Sequence, residues 1–269
     1  MIHKKINLYE GKEHPYMDTY ILNRICDGAG TVYDKPRGAV VVVPGGGYAI
    51  TSEREAEPIA MKFAAAGYHT FVVWYRTKPE KHTDPLEDLA RAVATVRAHA
   101  QEWHLNPDDI TTCGFSAGAH LAAMLGVFWD KPFLAELVGM DRECFRPNRQ
   151  ILCYPVISSG KFANVGSFEN LTGGDVSLYE SLSLEKQVGE NTPQTFLWHT
   201  AEDAAVPVEN SLLFAAALSE YKIPFELHIF PKGPHGLSVA EDCTSGGNPD
   251  LISPVCAQWV SLAAQWLKR

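Results

Sequence analysis

The pentapeptide Gly114-Phe115-Ser116-Ala117-Gly118 constrains the fold more than any other part of this sequence. An apolar stretch precedes it, and a stretch with helical spacing of apolar residues follows it. This order predicts a strand, a sharp turn centred on the serine and then a helix, which together present a serine hydroxyl at the end of a sheet. The two glycines leave room for a strained turn of this kind.

Composition narrows the class of protein. The chain has 269 residues, 46% of them hydrophobic, and no apolar run reaches the roughly 18 residues of a membrane-spanning helix. We therefore expect one α/β domain over residues 1–269. The net charge of -9 argues against nucleic acid and anionic membranes as partners. The first residues contain no apolar segment of the signal-peptide type, so we expect a cytoplasmic protein.

The cysteines give no sign of a metal site. None of the six belongs to a C-x-x-C pair, which argues against bound zinc. We expect them to be reduced, as is usual in the cytoplasm. They are Cys26, Cys113, Cys144, Cys153, Cys243 and Cys256.

Apolar runs alternate with helical patterns, which predicts a mostly parallel sheet with helices on both faces, an α/β fold. Several runs lack period-2 alternation, as strands buried on both faces should. The predicted strands are residues 39–43, 69–75, 110–113, 150–154, 195–199 and 225–230. The predicted helices are residues 53–66, 85–103, 119–128, 210–221 and 255–267.

Two segments depart from this alternation. Residues 1–38 contain turn signals at 27–30 and 35–38, and we expect an antiparallel hairpin at the edge of the sheet there. Residues 157–193 form a long insertion between two predicted strands. Since an insertion at the carboxyl end of a sheet usually covers a site, we interpret it as a partial lid.

The serine hydroxyl needs two further side chains, a base and an acid, before it can act as a nucleophile. It is a weak nucleophile at neutral pH, so a base must take its proton and an acid must orient that base. His235 lies in a loop rich in Gly and Pro directly after the last predicted strand, and we predict that it is the base for Ser116. Asp203 follows the preceding predicted strand and is our choice for the acid, with the adjacent Glu202 as the alternative.

A run of three glycines, residues 45–47, directly follows the strand predicted at 39–43. Because glycine lets the backbone approach a substrate closely, we predict an oxyanion hole formed by the N–H groups of Gly46, Gly47 and Ala117. A phosphate-binding loop is disfavoured, since no Lys-Ser/Thr follows and the spacing is not G-x-G-x-x-G. This chemistry needs neither a metal nor a cofactor.

At this point the chain resembles the serine esterases of the α/β-hydrolase fold, and more closely the bacterial acetyl esterases and acetyl-xylan esterases. The resemblance runs over nearly the whole chain. It is carried by PGGGY at 44–48, SEREAEP at 52–58, GFSAGAH at 114–120, FLWHTAED at 196–203, VPVEN at 206–210 and PKGPHG at 231–236. It implies the same nucleophile, base, acid and oxyanion donors. One departure is Pro44, where many relatives have a histidine that supports the loop rather than reacting.

The resemblance also implies a short-chain substrate, most of all an acetyl ester, whose alcohol part is an acetylated xylo-oligosaccharide or a related sugar. Tyr48, Trp198 and His199 lie near the ends of predicted strands and are candidates for substrate contact, with core packing as the alternative for Tyr48 and Trp198. Other activities left open are an aryl or feruloyl esterase, a serine peptidase of the prolyl-oligopeptidase type, and a non-catalytic binding protein of the same fold. A homo-oligomer is also left open.

Overall fold

The computed structural model describes residues 1–26, 29 and 35–269, and its centre is an eight-stranded sheet. The strands are β1 (Ile2–Asn7), β2 (Tyr16–Ile21), β3 (Arg37–Val43), β4 (His69–Trp74), β5 (Leu105–Phe115), β6 (Arg149–Cys153), β7 (Gln194–Thr200) and β8 (Phe225–Phe230). Their order across the sheet is β1-β2-β4-β3-β5-β6-β7-β8. The pairings β1–β2 and β2–β4 are antiparallel, and all pairings from β4 to β8 are parallel.

Helices connect the parallel strands. They are α1 (Glu57–Ala65), α2 (Asp84–Ala98), α3 (Ala100–Trp103), α4 (Ala117–Phe128), α5 (Pro132–Val138), α6 (Val165–Thr172), α7 (Glu209–Glu220), α8 (Asp242–Ser245) and α9 (Gln258–Trp266). Short 3₁₀ helices occupy Glu53–Glu55, Arg142–Cys144, Val176–Leu178, Leu184–Lys186 and Pro249–Leu251. In the ranges that the structure describes, no helix has both the length and the apolar character needed to cross a bilayer.

The run of valines in β3 contributes to two separate cores, one on each face of the sheet. Val41 and Val43 pack on the face covered by α2, α4 and α7. Val40 and Val42 pack on the opposite face, against α1 and α9. Since successive side chains of a strand point to opposite faces, a strand covered on both sides must be apolar throughout. The predicted α/β class, a mostly parallel sheet with helices on both faces, is confirmed.

The antiparallel edge of the sheet lies at the N-terminus, as expected for residues 1–38. Strand β1 pairs with β2 in a register that places Ile2 opposite Ile21 and Asn7 opposite Tyr16. The connection between these strands is residues 8–15, so neither predicted turn forms the hairpin. The signal at 35–38 leads directly into β3, and the signal at 27–30 lies outside the described residues except for Ala29.

Helix boundaries differ more from the prediction than strand boundaries do. The helix predicted at 53–66 divides into the 3₁₀ helix Glu53–Glu55 and α1, and the one predicted at 85–103 divides into α2 and α3. Three of the helices described above, α5, α6 and α8, were absent from the prediction. They have seven, eight and four residues, so each contains too few apolar positions for a clear helical period.

The insertion at residues 157–193 contains α6 and two of the 3₁₀ helices. Its Asn170 side chain donates to the Gly47 carbonyl oxygen at 2.9 Å, and its Asn164 side chain donates to the Ala205 carbonyl oxygen at 3.0 Å. The insertion therefore contacts both the three glycines at residues 45–47, which we call the glycine loop, and the loop that follows β7. Its function as a lid and the single-domain organisation of residues 1–269 stay predictions.

Helix α4 lies so close to β3 that its second residue has no room for a side chain. A Cβ built on Gly118 would collide with the carbonyl oxygens of Val43 and Pro44, which are backbone atoms and cannot swing away. The second residue of α6, Gly166, has nothing within 4 Å of the same position. The two glycines thus occupy equivalent helix positions in opposite surroundings.

We predict that Gly118→Ala lowers the free energy of unfolding by about 1–3 kcal/mol, because overpacking at this contact forces the helix away from the sheet. Gly166→Ala is the matched control, and it should leave stability unchanged or raise it by up to about 1 kcal/mol through helix propensity. Urea denaturation of both variants and the wild type measures the two effects. Equal stability of Gly118→Ala and the wild type would contradict the packing argument.

Candidate active site

Ser116, Asp203 and His235 follow three strands that end at the same edge of the sheet. Ser116 comes directly after β5, Asp203 comes three residues after β7, and His235 comes five residues after β8. The carboxyl ends of parallel strands meet at one edge, where α/β proteins place their sites. The sheet topology therefore brings together residues that are up to 119 positions apart in the sequence.

The turn at Ser116 has an unusual backbone. Its φ is 52° and its ψ is -118°, a conformation that residues with a side chain rarely adopt. Such backbone strain persists only where the surroundings over-determine it. Here a Cβ on Gly114 would lie 2.7 Å from the Ala119 nitrogen, and Gly118 is pressed against β3. The glycines flanking the serine are therefore required by the close contact of strand, turn and helix.

One imidazole ring lies between the serine and the aspartate. His235 Nε2 is 2.8 Å from Ser116 Oγ, and His235 Nδ1 is 2.6 Å from Asp203 Oδ2. We assign the ring proton to Nδ1, because the carboxylate can only accept, which leaves Nε2 to accept from the serine hydroxyl. The geometry is that of a nucleophile, a general base and an orienting acid.

The Asp203 side chain is fully buried and accepts several hydrogen bonds. Its Oδ1 accepts from the Ala205 N–H at 3.0 Å and the Val206 N–H at 2.9 Å. Burial raises the pKa of this carboxyl, but hydrogen bonds from His199, His235 and the Val206 N–H outweigh burial and hold the pKa well below its usual range. Asp203 is therefore an ionised partner for the ring.

The alternative acid, Glu202, points elsewhere. Its side chain is exposed, and no hydrogen bond joins it to His235 in the described part of the chain. The geometry therefore favours Asp203 over its neighbour, as the sequence analysis did.

The glycine loop lies directly against the serine. A Cβ on Gly45 would be 2.6 Å from the Phe115 carbonyl oxygen and 3.1 Å from Ser116 Cβ. Within residues 1–26, 29 and 35–269, the N–H groups of Gly46, Gly47 and Ala117 have no hydrogen-bond acceptor. Open backbone donors beside a nucleophile are the feature that an oxyanion hole requires.

Two side chains predicted to touch substrate are buried in the core. Tyr48 is 1% exposed, and its hydroxyl lies 2.8 Å from His120 Nδ1. Trp198 is fully buried and stacks on Trp259, with ring centroids 5.3 Å apart. Neither side chain reaches the surface beside Ser116, so this structure favours the core-packing alternative for both.

His199, the third candidate for substrate contact, is also fully buried, but it contacts the acid. Its Nε2 is 2.9 Å from the Val206 carbonyl oxygen and 3.3 Å from Asp203 Oδ2, and its Nδ1 is 2.8 Å from Ser211 Oγ. The ring thus holds the loop that carries Asp203, a role that the sequence pattern did not indicate.

Sequence reasoning also missed two groups that support the glycine loop. Glu55 Oε2 accepts from the Gly45 N–H at 2.9 Å, and Tyr75 donates its hydroxyl to the Pro44 carbonyl oxygen at 2.7 Å. The position of Glu55 inside SEREAEP was the one available signal. Among the described residues, no cluster of three or more His, Cys, Asp and Glu side chains is arranged to hold a metal ion.

Comparison with known proteins identifies a matching family model and several similar proteins. The family model BD-FAE matches residues 31–151. The chain is 42% identical over 220 residues to endo-1,4-beta-xylanase B of Butyrivibrio fibrisolvens, a match that spans 78% of this chain and 34% of that protein. It is 31% identical over 212 residues to an acetylxylan esterase of Xylanibacter ruminicola, a match that spans 76% of this chain and 42% of that protein. The chain thus matches less than half the length of these curated relatives.

A solved structure matches over almost its full length. The acetyl ester-xyloside bifunctional hydrolase from Caldicellulosiruptor lactoaceticus superposes with a TM-score of 0.81 at 36% identity, covering 98% of this chain and 95% of that one. Identity at this level over both whole chains indicates a shared family as well as a shared fold. The chain therefore belongs to the acetyl-xylan-esterase-like carboxylic ester hydrolases of the α/β-hydrolase fold.

Proposed function

We propose that this protein is a serine esterase that removes acetyl groups from acetylated xylo-oligosaccharides or related sugars. The observation that carries the proposal is the hydrogen-bonded series from Ser116 through His235 to Asp203, at 2.8 and 2.6 Å, beside open backbone N–H groups. The names of two relatives support the substrate class, since both include an acetyl ester and either xylan or a xyloside.

The first half of the proposed reaction forms an acetyl-enzyme. Ser116 Oγ attacks the ester carbonyl carbon while its proton passes to His235 Nε2, and ionised Asp203 stabilises the resulting imidazolium. The N–H groups of Gly46, Gly47 and Ala117 donate to the carbonyl oxygen, which becomes negative. When the tetrahedral intermediate collapses, the bond to the sugar oxygen breaks, and His235 gives its proton to that oxygen.

The second half releases acetate by the same steps with water in place of the serine. His235 takes a proton from water as its oxygen attacks the acetyl carbon, and the same N–H groups hold the new oxyanion. Collapse breaks the bond to Ser116 Oγ, which recovers its proton from His235. The enzyme returns to its starting state without a metal or a cofactor.

The alternatives differ in how well the site and the comparisons fit them. Membership of an esterase family argues against both the peptidase and the non-catalytic binding protein. An aryl or feruloyl esterase has the same mechanism and differs only in the acyl group, so it stays an alternative. The cytoplasmic setting and the homo-oligomer also stay predictions.

We predict that Ser116→Ala abolishes acetate release, with kcat lower by about 10⁴-fold or more because the nucleophile is gone. The measurement is acetate released from acetylated xylo-oligosaccharides, with an acetyl aryl ester and a feruloyl ester in parallel. Ser261→Ala is the matched control, because Ser261 is an exposed serine on α9.

Each outcome of this assay decides something different. Full activity in Ser116→Ala would overturn the nucleophile assignment. A wild type that cleaves the aryl ester and no sugar ester would keep the mechanism and overturn the substrate class. A marked preference for the feruloyl ester would replace the acetyl assignment with the feruloyl alternative.

We predict that Asp203→Asn lowers kcat by about 10⁴-fold, because an amide no longer fixes the tautomer of His235 or stabilises its charged form. The control is Glu202→Gln, which makes the same change one residue earlier and should retain wild-type kcat. Steady-state kinetics on the acetyl aryl ester measures both. A large loss in Glu202→Gln together with a small loss in Asp203→Asn would reverse the assignment of the acid.

A further inference from the structure

A second buried carboxylate lies on the other side of the site, and the mechanism above does not use it. Glu55 ends the 3₁₀ helix between the glycine loop and α1, and it is only 4% exposed. In the described residues, no salt bridge pairs it with a cation. Burying a carboxylate is costly unless hydrogen bonds compensate for lost water, so the groups that bond to it indicate why it is there.

Both oxygens of Glu55 accept a hydrogen bond. Oε2 accepts from the Gly45 N–H at 2.9 Å, and Oε1 accepts from the Tyr154 hydroxyl at 2.6 Å. Gly45 directly precedes the proposed oxyanion donors Gly46 and Gly47. Oε2 of Glu55 therefore fixes the position of the glycine loop.

Oε1 of Glu55 is connected, through Tyr154, to the loop that carries His235. The Tyr154 hydroxyl accepts from the Ser238 N–H at 3.0 Å, and Ser238 lies three residues after His235. The Tyr154 ring also packs edge-on against the His235 ring, with centroids 5.1 Å apart. Glu55 is thus hydrogen-bonded directly to the glycine loop and, through Tyr154, to the loop that carries His235.

We propose that Glu55 is a positioning residue. It holds the glycine loop and the loop after β8 that carries His235 (the base loop) in the geometry that the reaction needs, and it places a negative charge on the far side of Tyr154 from His235. The proposal rests on the proposed esterase function and adds to it. Asp203 then contacts one edge of the ring, while Glu55 faces it across Tyr154. Two carboxylates would favour the imidazolium that forms when Ser116 attacks.

The charged form of Glu55 fits this role, because each oxygen faces a donor. Burial raises the pKa of Glu55, and the hydrogen bonds from Tyr154 and Gly45 and the charges of His235 and Arg54 offset that rise only in part. Other titratable groups that face it are Tyr75 and Cys153. Burial raises the pKa of both, so they are neutral at the pH of the assay and do not compete with the carboxylate.

Glu55→Gln tests the proposal with the least change in shape. A glutamine has one acceptor oxygen where the carboxylate has two, so its NH₂ group must face either the Gly45 N–H or the Tyr154 hydroxyl. On the acetyl aryl ester we expect kcat to fall by about 10- to 100-fold, somewhat less than the roughly 10²- to 10³-fold loss for a missing oxyanion donor. KM should change little.

The dependence of kcat/KM on pH distinguishes the effect of the Glu55 charge from the effect of its hydrogen bonds. Without the negative charge, the imidazolium of His235 is less favourable, so the acid limb of kcat/KM should move to lower pH in Glu55→Gln. Tyr154→Phe keeps the charge and removes only the link to Ser238. It should lower kcat without moving that limb to lower pH.

Amide hydrogen exchange gives a measurement that does not depend on activity. The Gly45 amide should exchange faster in Glu55→Ala, which leaves it without a side-chain acceptor, and the Ser238 amide should exchange faster in Tyr154→Phe. Glu53→Gln is the matched control, because this exposed residue lies on the same short helix, and it should match the wild type in every measurement.

Several results would overturn the proposal. One is a folded Glu55→Gln variant with wild-type kcat and pH profile, together with a folded Glu55→Ala variant whose Gly45 amide exchanges at the wild-type rate. If either variant does not fold, Tyr154→Phe decides, and wild-type kcat together with unchanged Ser238 exchange would reject the link. If the wild type cleaves no acetyl ester, the proposed function fails, and the positioning role is judged on amide exchange alone.

Discussion

The site depends on how closely α4 approaches the centre of the sheet. Strand β5 is paired on both sides, by β3 and β6, so the end of the strand is fixed. Gly118 touches the backbone at the end of β3, which fixes the start of the helix. Ser116 must join these two fixed elements in a single residue, and its φ of 52° is the result. The direction of its hydroxyl and of the Ala117 N–H follows from that one constraint.

Everything else in the site is a loop, and buried carboxylates hold these loops in place. Asp203 accepts two backbone N–H groups from its own loop as well as the ring of His235. Glu55 accepts one N–H from the glycine loop and reaches the base loop through Tyr154. A hydrogen bond to an ionised acceptor is about twice as strong as one between neutral groups, so a few such bonds help to order these loops.

A third buried carboxylate shows the other way in which this protein stabilises charge. Asp88 on α2 is fully buried and pairs with Arg76 at 2.7 Å, and both contact the Tyr9 hydroxyl just beyond β1. This ion pair ties the antiparallel edge strands to the parallel sheet. Glu55, by contrast, forms no salt bridge in the described residues, and its hydrogen bonds lead to Gly45 and, through Tyr154, to the loop that carries His235.

The sequence by itself determined the α/β fold, the six parallel strands, and the order of nucleophile, acid and base candidates, because buried strands are short continuous apolar runs and the site residues follow them. It also identified the glycine loop. Only the tertiary structure decided which polar residues meet. Tyr48, Trp198 and His199 lie near strand ends, as expected, yet they point into the core, because position in a strand does not say what packs on either face. The sequence assigned no role to Glu55, which was recognised only after the fold placed Gly45 and Tyr154 around it.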